Sequence, residues 1–203
     1  MIVTQVTEIS KTKIKVCLDN EEMFSLYKSE QRTYHITEGM ELSKEVYHTL
    51  VKEVLPKRAK LRSMNLLKNK DYTEYQLREK LKQGCYPETS IDQAIEYVKS
   101  FGYINDVRYA CSYIDYASTT KSRRQIEMTL IRRGVSKEDI NQAYTQCSDE
   151  GDLTGEEELI EKLLNKKHFN RQEATYEERM KMIGTLYRKG FSLDKIYQVV
   201  DRE

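Results

Sequence analysis

Near the start of the chain, Ile14, Val16 and Leu18 alternate with Lys13, Lys15 and Cys17, and Phe24 and Leu26 alternate after the polar run at residues 19–22. A period of two gives a strand one buried face, and the polar break predicts a hairpin. Ile2, Val6 and Ile9 predict a further strand. The period then changes. Ser43 has the chemistry of a helix N-cap, and Val46, Leu50 and Val54 follow at four-residue spacing, giving an apolar helix face that should end at Pro56. Residues 1–56 therefore read as a small β-rich unit closed by a helix.

From Lys57 onward the pattern is helical, and it repeats. Residues 77–94 (LREKLKQGCYPETSIDQA), 126–143 (IEMTLIRRGVSKEDINQA) and 182–199 (MIGTLYRKGFSLDKIYQV) superpose without gaps. Leu77/Leu81, Ile126/Leu130 and Met182/Leu186 share one helix face each. Gly134 and Gly190 suit the left-handed position that stops a helix, and Ser136 and Ser192 can cap the helix that follows. Cys85 fills the glycine slot of the first copy with Gly84 before it, which predicts a middle helix ending one residue early. Thr73 with Gln76, and Ser122 with Gln125, have capping-box spacing. Residues 61–67, 110–117 and 159–164 supply a third amphipathic stretch to each copy. The fold expected is mainly α: three tandem three-helix repeats at residues 57–104, 105–148 and 149–203, forming an elongated curved array behind the β-rich unit. Units this small bury little alone, so neighbours are expected to share one thin, continuous core.

Composition agrees with a thin body. Apolar residues are 38% of the 203, with the 8 glycines adding about 4%, and charged residues are 33%, against about 45–50% with glycine counted and about 25% in a typical globular domain. The net charge of +1 conceals segregation: −2 over residues 1–56, +4 over 57–104, +2 over 105–148 and −3 over 149–203. The densest basic stretch is residues 121–134, where Lys121, Arg123, Arg124, Arg132 and Arg133 meet only Glu127 as counter-charge. Lys57, Arg58, Lys60 and Arg62 form a second patch. Arginine's planar fork suits phosphate or carboxylate, although a charged run is also what a plain solvated helix face looks like. Tyrosine is abundant at 15 residues while tryptophan is absent. Tyr109, Tyr113 and Tyr116 precede the basic stretch. Tyr113 and Tyr116 are candidates for base stacking; the plainer alternative is a thin-core tyrosine with a wet hydroxyl.

Several chemistries lack support. There is no GxxxxGK[ST] or GxGxxG loop, and His35, His48 and His168 are isolated. Cys17, Cys85, Cys111 and Cys147 are too scattered for a zinc site or disulfide framework, so reduced thiols in the cytoplasm are expected. Residues 150–161 have a faint calcium-loop look in Asp152, Gly155 and Glu161, but Glu150 replaces the opening Asp and Glu157 falls at an apolar position. An acidic linker and helix N-terminus is the better reading. No apolar run approaches the roughly 20 residues that span a bilayer, and the charged, alternating opening does not read as a signal peptide. No catalytic residues, metal or cofactor are expected.

Three stretches, DYTEYQLREKL at 71–81, IDQAIEYVKSFGYIND at 91–106 and KSRRQIEMTLIRRG at 121–134, together resemble the RecX family, bacterial regulators of the RecA recombinase. The likeness covers about residues 57–203. The N-terminal strands and GMEL at 39–42 are similar to an extension found in Gram-positive members. Asn105-Asp106 departs from the family's usual Asp-Asp, as Cys85 does from glycine. The resemblance implies an elongated, monomeric, non-catalytic module that binds in the groove of the RecA–DNA filament and reduces ATP hydrolysis and strand exchange. It also implies weak non-specific contact with single- or double-stranded DNA. The alternatives are a DNA-binding transcriptional regulator, since three-helix units resemble helix-turn-helix modules, or a helical-repeat protein scaffold. Sequence-selective binding, about 10³ or more over non-specific, would distinguish the first of these.

Overall fold

The computed structural model describes residues 1–149 and 155–202. It is mainly α-helical, with three three-helix units behind a three-stranded antiparallel sheet. The chain divides into two compact units, Met1–Asn105 and Asp106–Glu203.

In the first unit, β1 (Val3–Glu8), β2 (Lys13–Leu18) and β3 (Met23–Tyr27) pair in sequence order. Ile14, Val16 and Leu18 point inward with Phe24 and Leu26, as the alternation predicts. In β1 the inward residue is Val3, not Ile9, which is exposed; an irregularity in register between Val3 and Gln5 resets the alternation. A short helix, α1 (Lys28–Thr33), has no counterpart in the apolar pattern. It is held by its Glu30 carboxylate, which accepts the Tyr27 amide at 2.7 Å.

Ser43 caps α2 (Lys44–Thr49), accepting the Val46 amide at 3.2 Å. The helix does not stop at Pro56. It passes through a π-helical turn, Leu50–Val54, into α3 (Leu55–Leu67), with Pro56 in the first turn of α3. The Leu55 amide reaches back five residues to the Leu50 carbonyl. Widening the ladder just before a residue that lacks an N–H and crowds the preceding turn lets the helix continue across it.

The first three-helix unit is completed by α4 (Glu74–Gln83) and α5 (Glu88–Ser100). The Thr73–Gln76 capping box forms in both directions. In the second compact unit, α6 (Asp106–Ser118), α7 (Arg123–Arg132) and α8 (Lys137–Asp149) are followed by α9 (Glu156–Lys166), α10 (Tyr176–Arg188) and α11 (Leu193–Val200). Ser122, Ser136 and Ser192 accept the amides of Gln125, Asp139 and Lys195, so all three serines cap a helix, but at Ser122 only this half of the expected capping box forms.

The three middle helices end at equivalent residues, which corrects the expectation that α4 stops early. Cys85 itself takes the left-handed conformation at φ +54°, where Gly134 and Gly190 have φ +84° and +87°. Gly84 sits in a close approach: a Cβ there would lie 3.0 Å from the Tyr86 ring and 3.2 Å from the Leu81 carbonyl, so the ring would have to shift to admit one. The helix ends are tied by serines. Ser25 of β3 donates its hydroxyl to the Gly84 carbonyl at 2.7 Å and its amide to the Cys85 carbonyl at 3.0 Å. In the second unit Ser122 likewise donates to the Lys189 carbonyl at 2.7 Å. Side chains outside glycine cost about 1–2 kcal/mol in the left-handed region. Cys85→Gly should therefore raise stability by about 0.5–1 kcal/mol after the added freedom of the unfolded chain is counted, read as a higher urea midpoint. An unchanged or lower midpoint would show that the Cys85 side chain contributes more by packing than its backbone costs.

Buried residues form four separate clusters, one for the β-rich segment and one for each three-helix unit. Among the described residues neither compact unit has a single buried cluster, so the expected continuous core does not form within either. Each unit closes on itself: the second surrounds Ile114, Ile126, Leu130 and Ile140. Within each compact unit a serine hydroxyl, Ser25 in the first and Ser122 in the second, bonds a carbonyl at the end of a middle helix.

Candidate nucleic-acid interface

The basic stretch of residues 121–134 folds as α7 with its preceding cap. Ile126 and Leu130 face the core at 2% and 0% exposure. The 3.6-residue period then puts Arg124, Met128, Ile131 and Arg132 on the outer side, where all four are exposed. Arg124 and Arg132 make no ion pair among the described residues.

The other three cations are held by tyrosines. Lys121 Nζ donates to the Tyr113 hydroxyl at 2.7 Å. Arg133 places its guanidinium 4.3 Å from the Tyr113 ring centroid and donates to the Tyr109 hydroxyl at 2.9 Å. Arg123 lies 4.2 Å over the Tyr144 ring and pairs with Glu127 at 2.8 Å. Burial alone would raise the Tyr113 phenol. Hydrogen bonds from Lys121 and Thr129, with the charges of Lys121 and Arg133, outweigh it and hold the phenol below its ordinary value. Burial dominates at Tyr144, reinforced by Glu127, and its phenol is raised.

Tyr113 is thus a buried residue with cations at its hydroxyl and its ring. It orients Lys121 and Arg133 and does not offer an open face to a base. Tyr116, three residues on, is 77% exposed. At the start of α7, the Arg123 amide donates to Glu156 Oε1 at 2.9 Å, and Glu156 also pairs with Lys195 at 3.0 Å.

The second patch is divided by the helix that carries it. Successive residues of α3 turn by about 100°, so Lys57 and Lys60 lie on one side and Arg58 and Arg62 on another. Lys57 and Arg62 are exposed. Lys60 Nζ lies 5.3 Å over the Tyr97 ring. Arg58 is turned inward: its side chain is 11% exposed, and Nη1 donates to Glu30 at 2.9 Å and to the Ser25 carbonyl at 3.0 Å. Its guanidinium lies 4.1 Å over the Tyr27 ring.

The sequence reading missed a row of aromatic rings at the end of α5, formed by Tyr97, Phe101 and Tyr103. Its signal was three aromatics within seven residues around Gly102, a glycine at positive φ.

The described residues contain no group of three or more His, Cys, Asp or Glu placed to hold a metal ion, and no helix long and apolar enough to cross a membrane. Of the faint calcium-loop residues, Glu150 and Asp152 lie outside the described residues. Gly155 caps α9, whose first turn carries Glu156, Glu157 and Glu158, and Glu161 pairs with Arg171 at 2.6 Å.

Three family models match the chain: the first three-helix domain of RecX at residues 59–97, the second at 105–143 and the third at 155–200. A protein named Regulatory protein RecX from Caldanaerobacter subterraneus subsp. tengcongensis is 30% identical over 203 residues, covering 99% of both chains. One of the same name from Clostridium beijerinckii is 26% identical over 198 residues, covering 98% of this chain and 92% of its own. A crystal structure of regulatory protein RecX superposes with a TM-score of 0.65 at 24% identity, over 100% of this chain and 99% of that one. That of RecX from Lactobacillus salivarius gives 0.59 at 22% identity, over 73% of this chain and 96% of its own. With three domain models matched in order and a relative aligned from end to end, the chain belongs to the RecX family of regulatory proteins.

Proposed function

We propose that this protein is a non-catalytic regulator of the RecA recombinase, binding as a monomer in the groove of the RecA–DNA filament and restraining ATP hydrolysis and strand exchange. Membership of the RecX family along the whole chain carries this reading. The charge distribution supports it: basic middle repeats suit a polyanion, while the net-acidic first and last segments repel bare DNA and suit a target that is part protein. We assign the contact face to the outer side of α7, where Arg124 and Arg132 are exposed and Lys121, Arg123 and Arg133 are aligned by tyrosines. Lys57, Lys60 and Arg62 of α3 extend the assignment, and Tyr116 is the tyrosine open to a base. Arg58 contributes by holding α3 in place.

The test is steady-state ATP hydrolysis by the cognate recombinase on single-stranded DNA. Added protein should lower the rate severalfold and saturate as filament sites fill. An unchanged rate at several-fold excess over filament sites would overturn the proposal.

A further inference from the structure

The end of α5 carries a surface that the α7 assignment does not use. The helix stops at Phe101. Gly102 follows at φ +67°, the Gly102 amide bonds the Lys99 carbonyl at 2.8 Å, and the Tyr103 amide returns to the Val98 carbonyl at 2.9 Å. This glycine-closed cap fixes the backbone on which both aromatics stand. Ile104, the next residue, is 5% exposed in the core of the first three-helix unit and anchors the turn.

The rings themselves are left out of that core. Phe101 is 58% exposed and Tyr103 50%. They stack with centroids 5.9 Å apart and planes 17° apart, and Phe101 packs tilted on Tyr97 at 5.0 Å. Lys60 reaches across from α3 to Tyr97, and Lys57 stands one turn before it. Neither lysine makes an ion pair among the described residues, whereas Lys99 nearby is engaged by Glu74 at 2.6 Å.

Three adjoining rings, two of them about half exposed, make a contiguous aromatic patch on the surface of the first compact unit. The neighbours decide what it binds. An apolar protein helix would be met by aliphatic groove walls. Here the row is aromatic and has the Lys60 ammonium, outside the ion pairs of the described residues, at its Tyr97 end, the combination that takes bases by their faces and phosphates by charge.

We propose that Tyr97, Phe101 and Tyr103 form a base-stacking site for single-stranded nucleic acid, with Lys60 and Lys57 taking the adjoining phosphates. Adjacent rings already touch at these spacings, so a base adds to the exposed faces of the row and does not insert into it. The site deepens the filament reading, since it requires a target that presents unpaired bases.

The experiment needs no recombinase. Fluorescence anisotropy compares a labelled oligothymidylate with an abasic strand of the same length, which keeps the phosphates and lacks the bases. The protein should bind oligothymidylate more tightly. Phe101→Ala should weaken that binding by about fivefold or more and leave the abasic strand unaffected. Phe101→Leu, which keeps apolar bulk without a ring, should fail like alanine, and Phe101→Trp should retain binding. Lys60→Glu should weaken both strands. Circular dichroism checks that each variant is folded, and Tyr103→Ala, beyond the end of the helix, stands in if Phe101→Ala is not. Equal affinity for the two strands in the unaltered protein, or full activity of Phe101→Leu, would overturn the site. If hydrolysis by the recombinase is unaffected while the strands are still distinguished, the filament reading fails and this one stands. The reverse result removes the aromatic site alone.

Discussion

Arg58→Ala should cost about 3 kcal/mol of stability in the first compact unit. The guanidinium joins three elements: it bonds Glu30 of α1, bonds the Ser25 carbonyl of β3, and lies on the Tyr27 ring from its own place on α3. Ser25 in turn binds the carbonyls of Gly84 and Cys85, so one strand residue joins Arg58 to the end of α4. Removing one member of a largely buried ion pair costs about 3–5 kcal/mol, because the partner stays behind without its charge. The lower end applies because Glu30 keeps the Tyr27 amide. Arg58→Met should lose less. It preserves the stem over Tyr27 and removes the Nε and Nη2 groups, which are buried with no hydrogen-bond partner. The measurement is urea unfolding of the full chain, with hydrogen exchange at β3 and α3 amides assigning the change to the first unit. A loss under about 1 kcal/mol would show that the pair is solvated as a surface bridge is.

Arg58 also shows where sequence reading stops. Among four basic residues in six, nothing local distinguishes it from Lys57 or Arg62. Its role depends on Glu30, in a helix of six residues with no apolar periodicity, and on a strand carbonyl 33 residues earlier. Cys85 is similar: the residue type argues against a left-handed conformation, and the reason for it includes Ser25, sixty residues away. The helix runs on past Pro56 through a π turn that is not written in composition or period. What was legible was chemistry completed within a few residues. The Thr73, Ser122, Ser136 and Ser192 caps each satisfy an amide three residues on, and Gly134 and Gly190 each end their own helix. The eighteen-position spacing, three times over, placed the middle helices because each carries its own core face and its own stop signal. The candidate interface was legible as a charge density. Its division into exposed and tyrosine-held cations was not, because Tyr109 and Tyr113 lie on α6 and Tyr144 on α8.

That division gives the second large effect. Arg124→Glu with Arg132→Glu should raise the concentration needed to restrain recombinase ATP hydrolysis by about tenfold or more, because each reversal removes an attraction and adds a repulsion at a surface that faces a polyanion. The helical circular dichroism and the urea midpoint should hardly move, since both side chains are exposed and outside the ion pairs of the described residues. On duplex DNA, where each phosphate contact contributes about 0.9 to the salt slope, the double variant should have a slope shallower by about 2. Arg133→Ala should behave differently. It removes the cation that sits on Tyr113 and donates to Tyr109, so stability falls along with binding and the two losses cannot be separated. The exposed pair is therefore the cleaner probe. If the double reversal restrains hydrolysis at the concentrations the unaltered protein needs, α7 is not the contact face, and the tyrosines beneath it serve only to pack a solvated helix.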